Sequence, residues 1–78
     1  MISYFSNVFL SLATNDPELS KILSDIDEAT TYKERLRIAN KHFEELGSGS
    51  SRTAFKYKNF TIKIAKNQKG IDQNKAEA

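Results

Sequence analysis

Cysteine is absent from the 78-residue chain, so neither a disulfide framework nor a thiolate metal site holds it together. The single histidine, His42, has no second histidine at ligand spacing, which favours a structural or surface role over a metal site. We therefore predict no metal centre and no metal ligands. Absence of cysteine is also typical of a reducing compartment, and the expected location is the cytoplasm.

Long apolar runs are also missing. The apolar patch from Val8 to Leu12 is interrupted by Ser11 and has no Lys or Arg before it. It is too short to span a membrane and lacks the charged flank of an export signal. The sequence thus predicts no membrane association.

Hydrophobic residues make up 38% of the chain and charged residues 28%, which is typical of one small globular domain. A chain of this size buries only about 60% of its unfolded surface, so a deep cleft with two walls is not expected. Charge is unevenly distributed. Residues 1–50 carry a net charge of −3 and residues 51–78 a net charge of +5, so the C-terminal third should attract anions.

Apolar residues at helical spacing predict up to three helices in residues 1–46. The first spans Ile2 to Leu12, where apolar side chains recur at i, i+3, i+4 and i+7. The second follows Asp16, a capping residue that precedes a proline. The third follows Thr31, which has capping-box spacing to Glu34.

After Gly47 the apolar period changes from 3.6 to 2. This predicts two strands, Thr53 to Lys58 and Phe60 to Ala65, joined by a tight turn at Lys58-Asn59. Residues 42–46 fit either the last turn of the third helix or a short strand. Residues from Asp72 onward are typical of the opening of a helix.

The predicted fold class is therefore α+β, with two to three N-terminal helices followed by a small antiparallel sheet and the start of a further helix. Residues 1–46 form the helical part. Residues 47–78 contain the glycine loop, the β-hairpin and the helix start, within a single small domain.

Three features of the second half follow one another in an order with chemical meaning. A glycine loop, Gly47-Ser48-Gly49-Ser50-Ser51-Arg52, precedes a strand, Lys63 lies in the next strand, and Glu77 lies in the helix after it. Glycines let backbone N–H groups approach phosphate oxygens closely. A lysine on a rigid strand supplies a fixed positive charge, and a carboxylate would orient it.

With these residues the sequence resembles the N-terminal lobe of the protein-kinase-like fold. In that family a G-x-G-x-x-G loop covers the nucleotide phosphates, a strand lysine binds them, and a helix glutamate pairs with the lysine. Gly47 and Gly49 match the first two glycines, and Phe60-Thr61-Ile62-Lys63 occupies the V-A-I-K position. The segments GSGSSR, IKIAKN and KGIDQNKAEA look most like small kinase-like proteins encoded by bacteriophages.

The resemblance covers about residues 44–78 and implies a nucleotide-binding role for the eight loop, strand and helix residues. They are Gly47, Ser48, Gly49, Ser50, Ser51, Arg52, Lys63 and Glu77. Arg52 departs from the pattern because it replaces the third glycine, where it could itself meet a phosphate.

The 78 residues contain no H-R-D catalytic loop and no D-F-G aspartate. The resemblance therefore implies no catalytic residue and no phosphoryl transfer by this chain alone. The resemblance implies ATP with Mg²⁺ as the ligand, with the missing second lobe contributed by a further segment or by a protein partner.

Other interpretations of the same residues stay open. Gly-Ser stretches are often turns or connectors, Lys63 is also consistent with a solvated strand lysine, and Glu77 with an exposed helix carboxylate. The basic C-terminal third is interleaved with aromatic residues, but no nucleic-acid motif accompanies it, and we expect no nucleic-acid partner. The rival hypothesis is a small phage-type interaction module that binds and modulates or inhibits a host protein.

Overall fold

The computed structural model describes residues 4–5, 7–10 and 16–77, which form an α+β fold of the predicted class. Its elements are β1 (Tyr4–Phe5), β2 (Val8–Leu10), α1 (Pro17–Glu28), α2 (Tyr32–His42), β3 (Glu44–Ser48), β4 (Arg52–Tyr57), β5 (Phe60–Ala65) and α3 (Gln68–Glu77). The strands form an antiparallel sheet in the order β1-β2-β5-β4-β3. Strands from both halves of the sequence therefore share one sheet.

Helices α1 and α2 begin at the caps that the sequence predicts. The Asp16 carboxylate accepts hydrogen bonds from the backbone N–H groups of Glu18 and Leu19, at 3.0 and 3.2 Å. Thr31 Oγ1 accepts one from Glu34 N at 3.2 Å. The apolar stripe of α1 is buried in the core; its members are Leu19, Ile22, Leu23 and Ile26.

The β4–β5 hairpin places alternate side chains on opposite faces of the sheet. Phe55 lies opposite Ile62 on the core face, and both are fully buried. Ala54 lies opposite Lys63 on the other face. The turn at Lys58-Asn59 is confirmed, with Tyr57 paired to Phe60 across it.

The predicted helix from Ile2 to Leu12 is wrong where the structure describes this segment. Residues Tyr4–Phe5 and Val8–Leu10 are antiparallel strands, and β2 pairs along β5. Residues 2, 3, 6, 11 and 12 of that predicted helix lie outside the described residues. Val8 and Leu10 are both buried, so the segment meets the core with a period of 2.

Hydrogen bonds to distant elements explain why this segment becomes a strand. Asn7 N donates to the Asp27 carboxylate at 3.0 Å, and Asn7 Nδ2 donates to the Asp27 carbonyl at 3.2 Å. Ala65 N donates to Asn7 O at 2.9 Å. Pairing with β5 satisfies backbone groups of both strands, which outweighs the local helical spacing.

Residues 44–48 form a strand, which decides between the two alternatives left open for residues 42–46. The register of β3 against β4 shifts between Glu45 and Gly47, so Leu46 occupies a β-bulge. The last helix begins at Gln68 and not at Asp72, because Asn67 Oδ1 accepts a hydrogen bond from Gly70 N at 3.1 Å and caps the first turn. Within the described residues, no helix has the length and apolar character needed to cross a bilayer.

Candidate functional site

The glycine loop is the turn of the β3–β4 hairpin. Gly49 N donates to Arg52 O at 2.9 Å, which leaves Ser50 and Ser51 as the two turn residues. Residues between β5 and α3 donate hydrogen bonds to both serine carbonyls. Lys66 N donates to Ser51 O at 2.7 Å, and Asn67 Nδ2 donates to Ser50 O at 3.3 Å. The loop is therefore anchored to the junction between β5 and α3.

An open cavity of about 370 Å³ lies beside this loop. Six of the eight predicted site residues line it, together with Ala54 and Gln73; the six are Gly47, Gly49, Ser50, Ser51, Arg52 and Lys63. A Cβ built on Gly47 would meet no heavy atom within 4 Å. The missing side chain at position 47 thus leaves space for a ligand to approach the backbone.

Lys63 and Glu77 form the ion pair that the sequence predicts. Lys63 Nζ lies 3.5 Å from Glu77 Oε2, although 14 residues separate the two along the chain. The lysine is on β5, the central strand of the sheet, and the glutamate is at the end of α3. Because β5 is paired on both sides, the ammonium group is attached to a rigid support.

Arg52 contacts the same carboxylate. Its Nη2 donates to Glu77 Oε1, and its Nη1 donates to Asn74 Oδ1 at 3.2 Å. Only 16% of the Arg52 side chain is exposed, compared with 37% for Glu77. The hydrogen bond from Arg52, aided by the charges of Arg52 and Lys63, holds the pKa of the Glu77 carboxyl below its ordinary value against a smaller opposing effect of burial.

Ser48 is the one loop residue that the structure does not place at the cavity. Its Oγ lies 3.3 Å from Thr53 Oγ1, and Thr53 shares a further hydrogen bond with the Tyr32 hydroxyl. Thr53 is buried on the core face. Ser48 therefore links β3, through Thr53, to Tyr32 of α2, on the opposite side of the sheet from Lys63.

Sequence reasoning missed Gly70 and Asn74, which bring α3 to the site. A Cβ on Gly70 would lie 2.2 Å from Ser51 O and 3.0 Å from Ala65, so only glycine allows this close packing. Asn74 is fully buried and holds Arg52. One signal was available: a glycine inside a helical segment costs about 1 kcal/mol relative to alanine, which indicates a packing reason.

The described part of the chain contains no group of three His, Cys, Asp or Glu side chains arranged to hold a metal ion. Comparison of the chain with protein-family models, with curated proteins and with solved structures finds no match. A functional assignment must therefore start from the chemistry of the cavity itself.

Proposed function

We propose that this chain is a kinase-like N-lobe of phage type that binds nucleotide phosphates and is not catalytic by itself. The observation that carries the proposal is that Gly47 and Lys63 line one cavity and that Glu77 pairs with Lys63 beside it. Along the chain they follow the order glycine loop, strand lysine and helix glutamate. That is the order in which the kinase N-lobe presents its phosphate-binding parts.

The charges around the cavity suit an anion. Arg52 and Lys63 contribute two positive charges, and Glu77 contributes one negative charge. Lys56 lies on the same face of the sheet, two residues after Ala54 on β4, but does not line the cavity. A phosphate in the cavity would meet the Lys63 ammonium while the backbone at Gly47, which has no side chain, allows close approach.

The cavity offers cations to the phosphate groups of ATP but no carboxylate to Mg²⁺. Mg²⁺ prefers oxygen ligands, especially carboxylates. The residues that line the cavity in the described structure include no Asp or Glu. Glu77, which is adjacent, is engaged by two cations. Metal ligands and a catalytic base would have to come from a second lobe or a protein partner. The proposal also includes a cytoplasmic location.

Titration of the ¹⁵N-labelled chain with ATP and Mg²⁺ tests the proposal. We expect the amide signals of Gly47, Gly49 and Lys63 to shift. Lys63→Ala should weaken binding about tenfold or more, because a hydrogen bond to a charged group contributes about 1.5–3 kcal/mol. Lys56→Ala removes an exposed lysine from the same face and should have little effect. If saturating ATP leaves all three amides unshifted, nucleotide binding by this chain is wrong.

Exposure of Leu46 favours a second candidate function, an interaction module that binds a host protein. Leu46 is 55% exposed and is the one large hydrophobic side chain in the described residues that is exposed. It lies in the bulge of β3, an edge strand whose residues are all exposed. The α1 stripe is buried and would not provide the surface.

Expression in a bacterial host separates the two functions. If the chain modulates a host protein through β3, it should slow host growth, and Leu46→Lys should remove this effect while Lys63→Ala preserves it. The reverse pattern would support the nucleotide site. Absence of any growth effect contradicts the modulation of a host protein.

A further inference from the structure

The Glu77 carboxylate bridges two cations with one oxygen on each. Oε1 accepts from Arg52 Nη2, and Oε2 lies 3.5 Å from Lys63 Nζ. Two oxygens of a phosphate group could bridge the same two cations in the same way, because guanidinium and ammonium groups bind both kinds of anion. The carboxylate therefore stands where a bound phosphate would have its best electrostatic contacts.

The charges favour a doubly charged anion over the carboxylate. Arg52 and Lys63 together carry +2, and Glu77 supplies −1. A terminal phosphate carries about −1.5 to −2 near neutral pH and offers three acceptor oxygens. It would neutralise both cations, whereas a phosphodiester, with a single charge, would gain nothing over Glu77.

The Glu77 carboxylate can release Arg52 and Lys63 while α3 stays packed on the sheet. Glu77 is the last residue of α3, and its side chain is 37% exposed, so water is available to the released carboxylate. The rest of α3 has other attachments. Asn67 caps it, Gly70 packs on Ser51, and Asn74 is buried against Arg52.

We propose that Glu77 is an internal competitor at the cavity, and that a terminal phosphate displaces it from Arg52 and Lys63. This inference rests on the proposed phosphate-binding function and adds the ligand class, a dianionic terminal phosphate, and the contact that regulates its affinity. It assigns Glu77 a role opposite to that of a supporting residue, because removing its charge should strengthen binding.

Affinity for inorganic phosphate near neutral pH tests the exchange, with NMR titrations of the unmodified chain, Glu77→Gln and Asp72→Asn. We expect Glu77→Gln to bind phosphate at least about fivefold more tightly than the unmodified chain. Asp72→Asn makes the same charge change on an exposed position of α3 and should bind like the unmodified chain. Dimethyl phosphate, a singly charged diester, should bind each of the three forms more weakly than phosphate does.

The outcomes distinguish this inference from the proposed function. If the unmodified chain binds ATP but Glu77→Gln binds phosphate equally or more weakly, the exchange is overturned while the phosphate site stands. If no form binds phosphate or ATP, both proposals are overturned. If Asp72→Asn gains as much affinity as Glu77→Gln, a general charge effect replaces the specific exchange.

A measurement on the unmodified chain covers the case in which Glu77→Gln fails to fold. Sulfate serves as the probe because it stays dianionic through the titration of a carboxyl group. The pKa of Glu77, followed by its side-chain ¹³C signal, should rise toward the ordinary value of 4.5 in sulfate relative to chloride at equal ionic strength. An unchanged Glu77 pKa in saturating sulfate overturns the exchange.

Discussion

Gly70 packs so closely against Ser51 that a Cβ at position 70 would stand 2.2 Å from the Ser51 carbonyl oxygen. Gly70→Ala should therefore force α3 away from the glycine loop. We expect a loss of about 1–3 kcal/mol in the free energy of unfolding, despite the better helix propensity of alanine. Urea unfolding followed by circular dichroism measures the change.

Gly47→Ala is the matched control for this substitution. A Cβ at position 47 meets no heavy atom within 4 Å, and the backbone there has no positive φ. We expect its stability to stay within about 0.5 kcal/mol of the unmodified chain. An equal loss in both variants would contradict the close packing of Gly70 on Ser51.

The turn between β4 and β5 contains Lys58 with φ of 55°, the left-handed region that favours glycine. Lys58→Gly and Lys58→Ala both remove the 3.4 Å ion pair with Asp16 and the contact with the Tyr57 ring. Only glycine relieves the backbone. Lys58→Gly should therefore unfold at a urea concentration roughly 0.5 M or more above that of Lys58→Ala. Equal midpoints would show that the left-handed turn carries no cost.

Tyr32 and Thr53 share a hydrogen bond between α2 and β4 on the core face of the sheet. Tyr32→Phe and Thr53→Val should each lower the free energy of unfolding by about 1 kcal/mol, since each removes one partner. The loss of unfolding free energy in the double variant should be smaller than the sum of the losses in the two single variants. Full additivity in this double-mutant cycle would mean that the two hydroxyls do not interact.

Stability should fall in acid because three carboxyl groups have a lowered pKa in the folded chain. Arg52 lowers the pKa of Glu77, the cap hydrogen bond from Leu19 N lowers that of Asp16, and Arg37 lowers that of Glu34. Each contribution is present above the ordinary values of 3.8 for Asp and 4.5 for Glu. It is lost as the pH falls through the lower pKa of the folded state.

Urea midpoints measured between neutral pH and pH 3 check this direction. Glu77→Gln should flatten the acid dependence, because one of the three groups no longer titrates. Asp72→Asn serves as the comparison on the same helix. A midpoint that rises as the pH falls through this range would contradict the assignment.

Local chemistry was sufficient to predict several elements from the sequence. Asp16 before Pro17 and Thr31 before Glu34 predicted the starts of α1 and α2, since a cap acts on the adjacent backbone. The alternation of apolar and polar residues predicted β4 and β5, because this signal also lies in neighbouring residues. Of the eight candidate residues named from the sequence, six line the cavity. Binding of a nucleotide there remains a prediction.

Tertiary contacts decided what local pattern could not. In Val8–Leu10 the helical spacing predicted the wrong element, because pairing with β5 and the hydrogen bond from Asn7 to Asp27 stabilise a strand. Gly70 lowers helix propensity, yet α3 runs through it because the gap against Ser51 admits no side chain. Sequence alone thus determined the elements whose stabilising groups lie within a few residues. The tertiary structure decided the elements and contacts whose partners are distant in the sequence. One such contact is the ion pair of Arg52 with Glu77, which adds a second cation to the carboxylate that Lys63 contacts.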